Sequence, residues 1–430
     1  MLKRFLLIWV AYWLIYFVQP VTSKYPDTIE AFLLQLFFVF LVSCGFLLTN
    51  YVILKDRKLI QIHYSGINYE LLVRRVIFSG FALSSLGFVF LLFDKLYVQG
   101  IDYSQGFAVA REQWRLHGEE RGGQVSSIYS VVGYLIGSSY FISLALLVSK
   151  NLKMRDCRRV FWIIFGLLLL LANSAITGGR SSILLLLAFL VYAYRTSSGS
   201  GARELVNSKI AKIVFALCGL GMVVYVLYIF SLRSDATGVS FAAYGAGFLD
   251  FMGLAPARWF VSDISNSPLG GIFALVNLAV SYLTHSFATT AAIFDESFGH
   301  GNVIFNTIYQ MLAKLGLIDA PDPNWFLSGR FPSLPGALYF QFGWLGLVVS
   351  AFLIGIWSSM VNLLYKFKWP SISMLLLCCC SESILLISPF LFAGDFISFP
   401  FIITGSFIAI FLVRLWTTCI SGIKPMGSGR

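Results

Sequence analysis

Apolar residues in this chain come in long blocks separated by short charged stretches. The blocks are Phe5–Val21, Ala31–Ile53, Val76–Phe93, Ser127–Val148, Val160–Ser174, Ser181–Tyr194, Ile213–Ser231, Leu338–Tyr365, Ile372–Phe392 and Phe401–Trp416. About 17–25 apolar residues in a helix span a hydrocarbon core of about 30 Å. The pattern therefore predicts ten membrane-crossing helices with both termini on one side.

One region does not fit a simple alternation of span and loop. Between Leu232 and Pro335 lies an apolar stretch, Gly271–Phe294, interrupted by Thr284, His285, Ser286, Thr289 and Thr290. A single crossing there would move every later loop to the opposite side. The stretch is expected to lie flat or re-enter the outer leaflet, because irregular polar backbone at membrane depth is tolerated where protein or a wet cavity surrounds it. The alternative pairs it with a second crossing in Ile304–Leu317 and raises the count to twelve. The expected organisation is a seven-helix region over 1–231, an outer loop over 232–335 and a three-helix region over 336–430.

Charge fixes the orientation. With the N-terminus in the cytoplasm, 21 of the 31 Lys and Arg residues fall inside, against four of the 20 acidic ones, Asp56, Glu70, Asp156 and Glu204. This is the positive-inside bias, so the net charge of +11 is a topology signal and not a nucleic-acid footprint. Composition agrees: 58% hydrophobic and 12% charged, about half the charged share of a soluble domain. The chain reads as an all-α polytopic membrane protein.

The seven cysteines show no disulfide or zinc spacing, and Cys378, Cys379 and Cys380 sit together in an apolar run, where thiols behave as small hydrophobes. The N-terminal run carries Lys3 and Arg4 like a signal peptide, but its Trp- and Tyr-rich length suits an uncleaved first span. No Walker-type P-loop is present and the four histidines are scattered, so ATP-driven transport within this chain and a metal-ligand cluster are not indicated. No internal repeat of the transporter kind is evident.

The stretch ITGGRSSILLLLAFLVYAYR, Ile176–Arg195, places Arg180 at the first turn of an apolar helix. A cation opposes the helix dipole there unless an anion sits on both. Two glycines permit close approach, free N–H groups point outward, and the guanidinium fork suits phosphate oxygens. The competing reading is an ordinary phospholipid headgroup at a turn.

Arg233, Arg258 and Arg330 lie isolated in the long outer loop, among Trp259, Phe260, Trp325 and Phe326, and Lys314 is the loop's one lysine. Any one of them suits a plain salt bridge; as a set they suit bidentate anion recognition. His285 is a candidate general base, since its ordinary pKa lies near neutrality; a histidine tied to a neighbouring carbonyl is the structural alternative. Asp250, Asp263 and Glu296 are rival bases. Glu382, mid-span, reads as a structural or protonated carboxyl, or as a proton-coupling group in a transporter.

ITGGRSSILLLLAFLVYAYR, followed by PSLPGALYFQFGWLGLVVSAFLIG over Pro332–Gly355, resembles the bacterial O-antigen polymerase (Wzy) and oligosaccharide repeat-unit polymerase families. The likeness covers the layout of the whole chain and about fifty residues of motif. It implies a GT-C-like membrane glycosyltransferase in the bacterial inner membrane, with its site on the periplasmic face. Such an enzyme transfers a glycan from undecaprenyl pyrophosphate to the sugar of an incoming lipid-linked repeat unit, without a metal or other cofactor. Under the resemblance Arg180 matches the Gly/Arg turn and, with Arg233, Arg258 and Arg330, binds pyrophosphate; His285, Glu296 and Asp263 are the candidate catalytic bases. A chain-length regulator and a flippase are the implied partners. The rivals are an O-antigen ligase, which uses the same donor and a loop histidine, and a non-enzymatic lipid-linked oligosaccharide flippase.

Overall fold

The structure is a computed structural model. It describes residues 1–55, 67–104, 106, 109–110, 113–114, 116–117, 126–149, 156–177, 181–196, 241–256, 270–294, 301–314, 317–319, 330–367, 370–393 and 398–422. The described chain is helical apart from one two-stranded antiparallel pair, β1 (Val21–Ser23) with β2 (Leu254–Pro256). Two compact units are formed, each from three separated segments: Met1–Arg57, Leu205–Met360 and Ser383–Phe396 in the first, Lys58–Glu204, Val361–Glu382 and Ile397–Arg430 in the second.

Among the described residues, six helices have the length and composition to cross a membrane: Thr28–Ile53, Tyr69–Val98, Ile128–Ser149, Cys157–Ile176, Leu334–Phe367 and Ser398–Thr417. They coincide with six of the ten expected spans. Three further expected spans are shorter helices: α1 (Leu2–Val18, 17 residues), Ser181–Arg195 (15) and Ile372–Ile387 (16). The tenth, Ile213–Ser231, lies outside the described residues.

The first unit is built on α1, α2 (Thr28–Lys55), α3 (Phe241–Phe251), α4 (Gly270–Ala292), α5 (Asn306–Lys314) and the start of α6 (Leu334–Phe367). Phe5, Trp9, Tyr12 and Tyr16 recur at three- and four-residue steps, so they line one face of α1. That face is buried against Ala31, Leu34, Phe38 and Val42 of α2 and Phe287 and Ala291 of α4. Tyr16 stacks on Phe287 with centroids 3.8 Å apart. Leu7, Leu14, Phe17 and Val18, on the remaining faces, are exposed, the pattern of a helix whose other side meets hydrocarbon. Where α2 crosses α6, Gly45 and Gly355 let the backbones touch: a Cβ on either would run into a main-chain oxygen, Phe352 O or Val42 O. Small residues at such crossings replace the hydrophobic drive that lipid removes. Gly343, at φ 65°, breaks α6 near its start.

The stretch expected to be flat or re-entrant is α4, one unbroken helix of 23 residues. The helix runs straight through its polar residues, and the physical reason is visible. Thr284, Thr289 and Thr290 return their hydroxyls to backbone carbonyls one turn earlier, at Val280, His285 and Ser286, so polar side chains sit on the helix without breaking it. Within the suggested second crossing, Ile304–Leu317, the described helix is α5, nine residues and about 14 Å at ~1.5 Å per residue.

The second unit holds α7 (Ile67–Phe93), a π-turn (Asp94–Val98), α8 (Ile128–Gly137), α9 (Tyr140–Ser149), α10 (Asp156–Thr177), α11 (Ser181–Arg195) and α12 (Ser398–Gly422). The end of α6 and the start of a helix that crosses from unit to unit, Ile372–Ile387, complete it. The expected span Ser127–Val148 is interrupted at Ser138 and Ser139. Ser139 Oγ donates to Gly405 O at 3.0 Å and Ser84 Oγ to Gly137 O at 2.5 Å, so the interruption is bonded from both sides. The buried Asp94 accepts from Ser126, Ser127 and Gln99, joining the end of α7 to the start of α8. Lys95 beside it lies 4.0 Å from the centroid of Trp114, a cation–π contact.

Candidate functional site

Seven side chains carried the sequence-based site. His285 and Arg330 are described; Arg180, Arg233, Arg258, Asp263 and Glu296 lie outside the described residues, as do Trp259, Phe260, Trp325 and Phe326. Asp250 lies in the last turn of α3, and Glu382 is fully buried.

His285 is held on α4 at 4% exposure. Its Nδ1 lies 2.6 Å from Tyr282 O. A carbonyl oxygen only accepts, so Nδ1 carries the proton of the neutral ring and Nε2 carries the lone pair. That Nε2 is buried with no hydrogen-bond partner among the described residues. The ring is bracketed by Tyr282, at 5.8 Å, and Phe331, at 6.4 Å edge-on. The expectation of a histidine tied to a carbonyl is met, and the tie sets the tautomer that leaves Nε2 without a proton.

A polar seam fixes α4 in this orientation. Ser286 Oγ donates to Pro389 O at 2.7 Å, and Tyr12 Oη lies 2.6 Å from Ser286 Oγ. Thr290 Oγ1 meets Ser333 Oγ at 2.9 Å, and Thr284 Oγ1 meets the Gln19 side-chain amide. Leu334 N–H donates to Ser388 O at 2.9 Å. Ser333 and Leu334 directly follow Arg330 and Phe331, so the seam also places the segment that carries the arginine.

Arg330 meets a feature that sequence reading missed. The segment after α1, Val21–Tyr25, runs antiparallel to the turn after α3: Val21 pairs with Pro256, Thr22 with Ala255 and Ser23 with Leu254. Lys24 N–H adds a bond to Gly253 O at 2.9 Å. Gly253, at φ 70°, leaves room where a Cβ would press on the Tyr25 ring. Lys24 Nζ pairs with Asp250; Arg330 Nη1 donates to Tyr25 Oη at 2.7 Å and stands 5.3 Å over the Phe251 ring. The strap rests on α4 through Val21, Leu249, Met252 and Leu254 around Ala288, one turn from His285. The Lys24 ammonium, and less strongly Arg330, hold the Asp250 carboxyl below its ordinary range. No local signal in either strand announces a pairing across more than two hundred residues.

The site therefore presents a ring nitrogen without a proton in an apolar bracket and, through Phe331–Arg330, an arginine with a strap of mixed charge. Among the described residues no group of three or more His, Cys, Asp or Glu is arranged to hold a metal. Compared with known proteins, the chain matches no family model, no curated protein and no solved structure.

Proposed function

We propose that the protein is a membrane glycosyltransferase of the O-antigen polymerase kind. It takes a glycan from undecaprenyl pyrophosphate and joins it to a sugar hydroxyl of an incoming lipid-linked repeat unit, at the periplasmic face of the bacterial inner membrane. The observation that carries this reading is His285, whose proton is fixed on Nδ1 and whose Nε2 is left without a partner among the described residues. In the reaction Nε2 takes the proton of the acceptor hydroxyl as its oxygen bonds the anomeric carbon. The bond from that carbon to the pyrophosphate oxygen breaks, and its electron pair leaves with the pyrophosphate. Arg330, together with Arg180, Arg233 and Arg258, neutralises the leaving group. Positive groups aimed at developing negative charge supply this stabilisation.

The charge asymmetry of the loops supports both termini in the cytoplasm, and α1, ending at Gln19, then delivers the strap to the periplasmic side. A histidine base also suits the ligase reading, in which the acceptor is the lipid A core. Deleting the gene in its host and resolving the surface glycan by size separates the two. Core capped by a single repeat, with the ladder lost, supports the polymerase. Bare core with long chains stranded on the lipid carrier supports the ligase and refutes the polymerase. Unit-length intermediates held on the cytoplasmic side refute both and indicate a flippase.

A further inference from the structure

Lys24, Tyr25 and Arg330 come from two segments some three hundred residues apart, yet meet beside the end of α3 that carries Asp250 and Phe251. Lys24 Nζ is paired with Asp250, and side-chain exposures of 43% and 70% put the pair at the surface. Arg330 uses Nη1 on the Tyr25 hydroxyl, 2.7 Å away, and lays its guanidinium carbon over Phe251. Its other N–H groups bond nothing among the described residues. Among the described residues, Lys24 on Asp250 and Arg330 over the adjoining Phe251 thus bring two cations and the Tyr25 hydroxyl into one neighbourhood with one bonded acid. An exposed pair of this kind contributes little to fold stability. The frame beneath it is nonetheless well ordered, with three paired strand positions, the Lys24 N–H bond to Gly253 O and Ser23 Oγ accepting from Tyr25 N–H at 3.0 Å. A hydrogen-bonded frame carrying a water-exposed carboxylate on one cation, with a second cation close by, is the arrangement of a site filled by an internal stand-in.

We propose that Lys24, Tyr25 and Arg330 form a binding site for a phosphate-type anion, lipid-linked or free, and that the Asp250 carboxylate is its resting occupant, displaced when the ligand arrives. The identity of the ligand as a lipid pyrophosphate rests on the transferase reading; the site itself does not. Displacement is an exchange of partners: Lys24 passes from Asp250 to a phosphate oxygen, and the Arg330 fork turns its unused N–H groups to the same anion, a geometry arginine favours. Asp250 therefore acts against binding, and its loss strengthens what the loss of an ordinary structural partner would weaken.

The test measures anion affinity with the full chain in phosphatidylcholine nanodiscs at fixed ionic strength, using inorganic pyrophosphate and farnesyl pyrophosphate as probes. Asp250→Asn is expected to tighten binding about threefold, the scale of one exposed charge pair, and Lys24→Gln to weaken it by a similar factor. Unchanged or weaker binding in Asp250→Asn, with the Lys24 amide still protected from hydrogen exchange, overturns the proposal. If Asp250→Asn loosens the strap, Lys24→Gln decides alone, and unaltered affinity there overturns it too. Tighter binding of farnesyl than of inorganic pyrophosphate assigns the anion to a lipid-linked molecule; equal binding assigns it to a free one; no binding of either overturns the site. A tightened Asp250→Asn in a host whose deletion leaves the glycan ladder intact keeps the site and refutes the transferase reading.

Discussion

Ser286→Ala tests whether the polar seam, and not apolar packing alone, sets the position of α4. Pro389 O accepts only, so the Ser286 hydroxyl proton goes there, at 2.7 Å, and the Tyr12 hydroxyl donates to Ser286 Oγ at 2.6 Å. Alanine removes both bonds. Tyr12 falls back on Thr284 O at 3.4 Å, a weak substitute, and the buried carbonyl of Pro389 loses this donor. Single hydrogen bonds contribute about 0.5–1.5 kcal/mol, and interhelical ones in membranes average nearer ~0.6. Two lost bonds with a partly unsatisfied remainder amount to about 2 kcal/mol. Reversible unfolding of the purified full chain in mixed micelles, by titration with a denaturing detergent, measures that loss. Tyr12→Phe and the double variant complete a cycle, and a coupling of about 1 kcal/mol is expected. A Ser286→Ala loss below about 0.5 kcal/mol, or a cycle additive within about 0.3 kcal/mol, refutes the argument and leaves α4 to the Tyr16–Phe287 stack and its apolar neighbours.

The remaining predictions concern the site and its frame. His285→Gln, which keeps polarity but loses the basic nitrogen, is expected to lower transfer by about 10²–10⁴-fold with donor binding retained; a rate within twofold of the parent removes His285 as the base. Gly355→Leu forces a side chain against Val42 O and is expected to cost about 1–3 kcal/mol by overpacking, read in the same unfolding assay; parental stability shows that α2 and α6 do not depend on close approach there. Because Lys24 holds the Asp250 carboxyl below its ordinary range, their link is complete at neutral pH. It weakens as pH falls through the ordinary carboxylate value and is lost below the lowered one. Hydrogen exchange at the Lys24 amide is expected to quicken over that descent beyond the intrinsic trend, and protection that stays level rules out a contribution from the link.

Much of this protein was legible without coordinates, because the membrane imposes its rule locally. Every backbone polar group in hydrocarbon must be bonded within its own segment, so a block of apolar residues such as Val76–Phe93 or Phe401–Trp416 announces a helix by itself. His285 was legible as a candidate because a histidine is rare in apolar surroundings, and Arg330 because an isolated loop arginine stands out. The polar residues around Thr284 do not break the helix, because their hydroxyls return to its own carbonyls, and that return is not visible in sequence. Long-range events were not legible. The β1–β2 strap, Tyr25 under Arg330, Gly253 beneath Tyr25 and the Asp250–Lys24 pair join positions hundreds of residues apart, and none changes the local hydrophobic pattern. The tautomer of His285 belongs to the same group, since a 2.6 Å contact with Tyr282 O depends on a rotamer that packing selects. Sequence alone determined that this chain is helical and built for a membrane, because solvation acts residue by residue; tertiary structure alone decided which polar groups meet, because pairing is a property of distance.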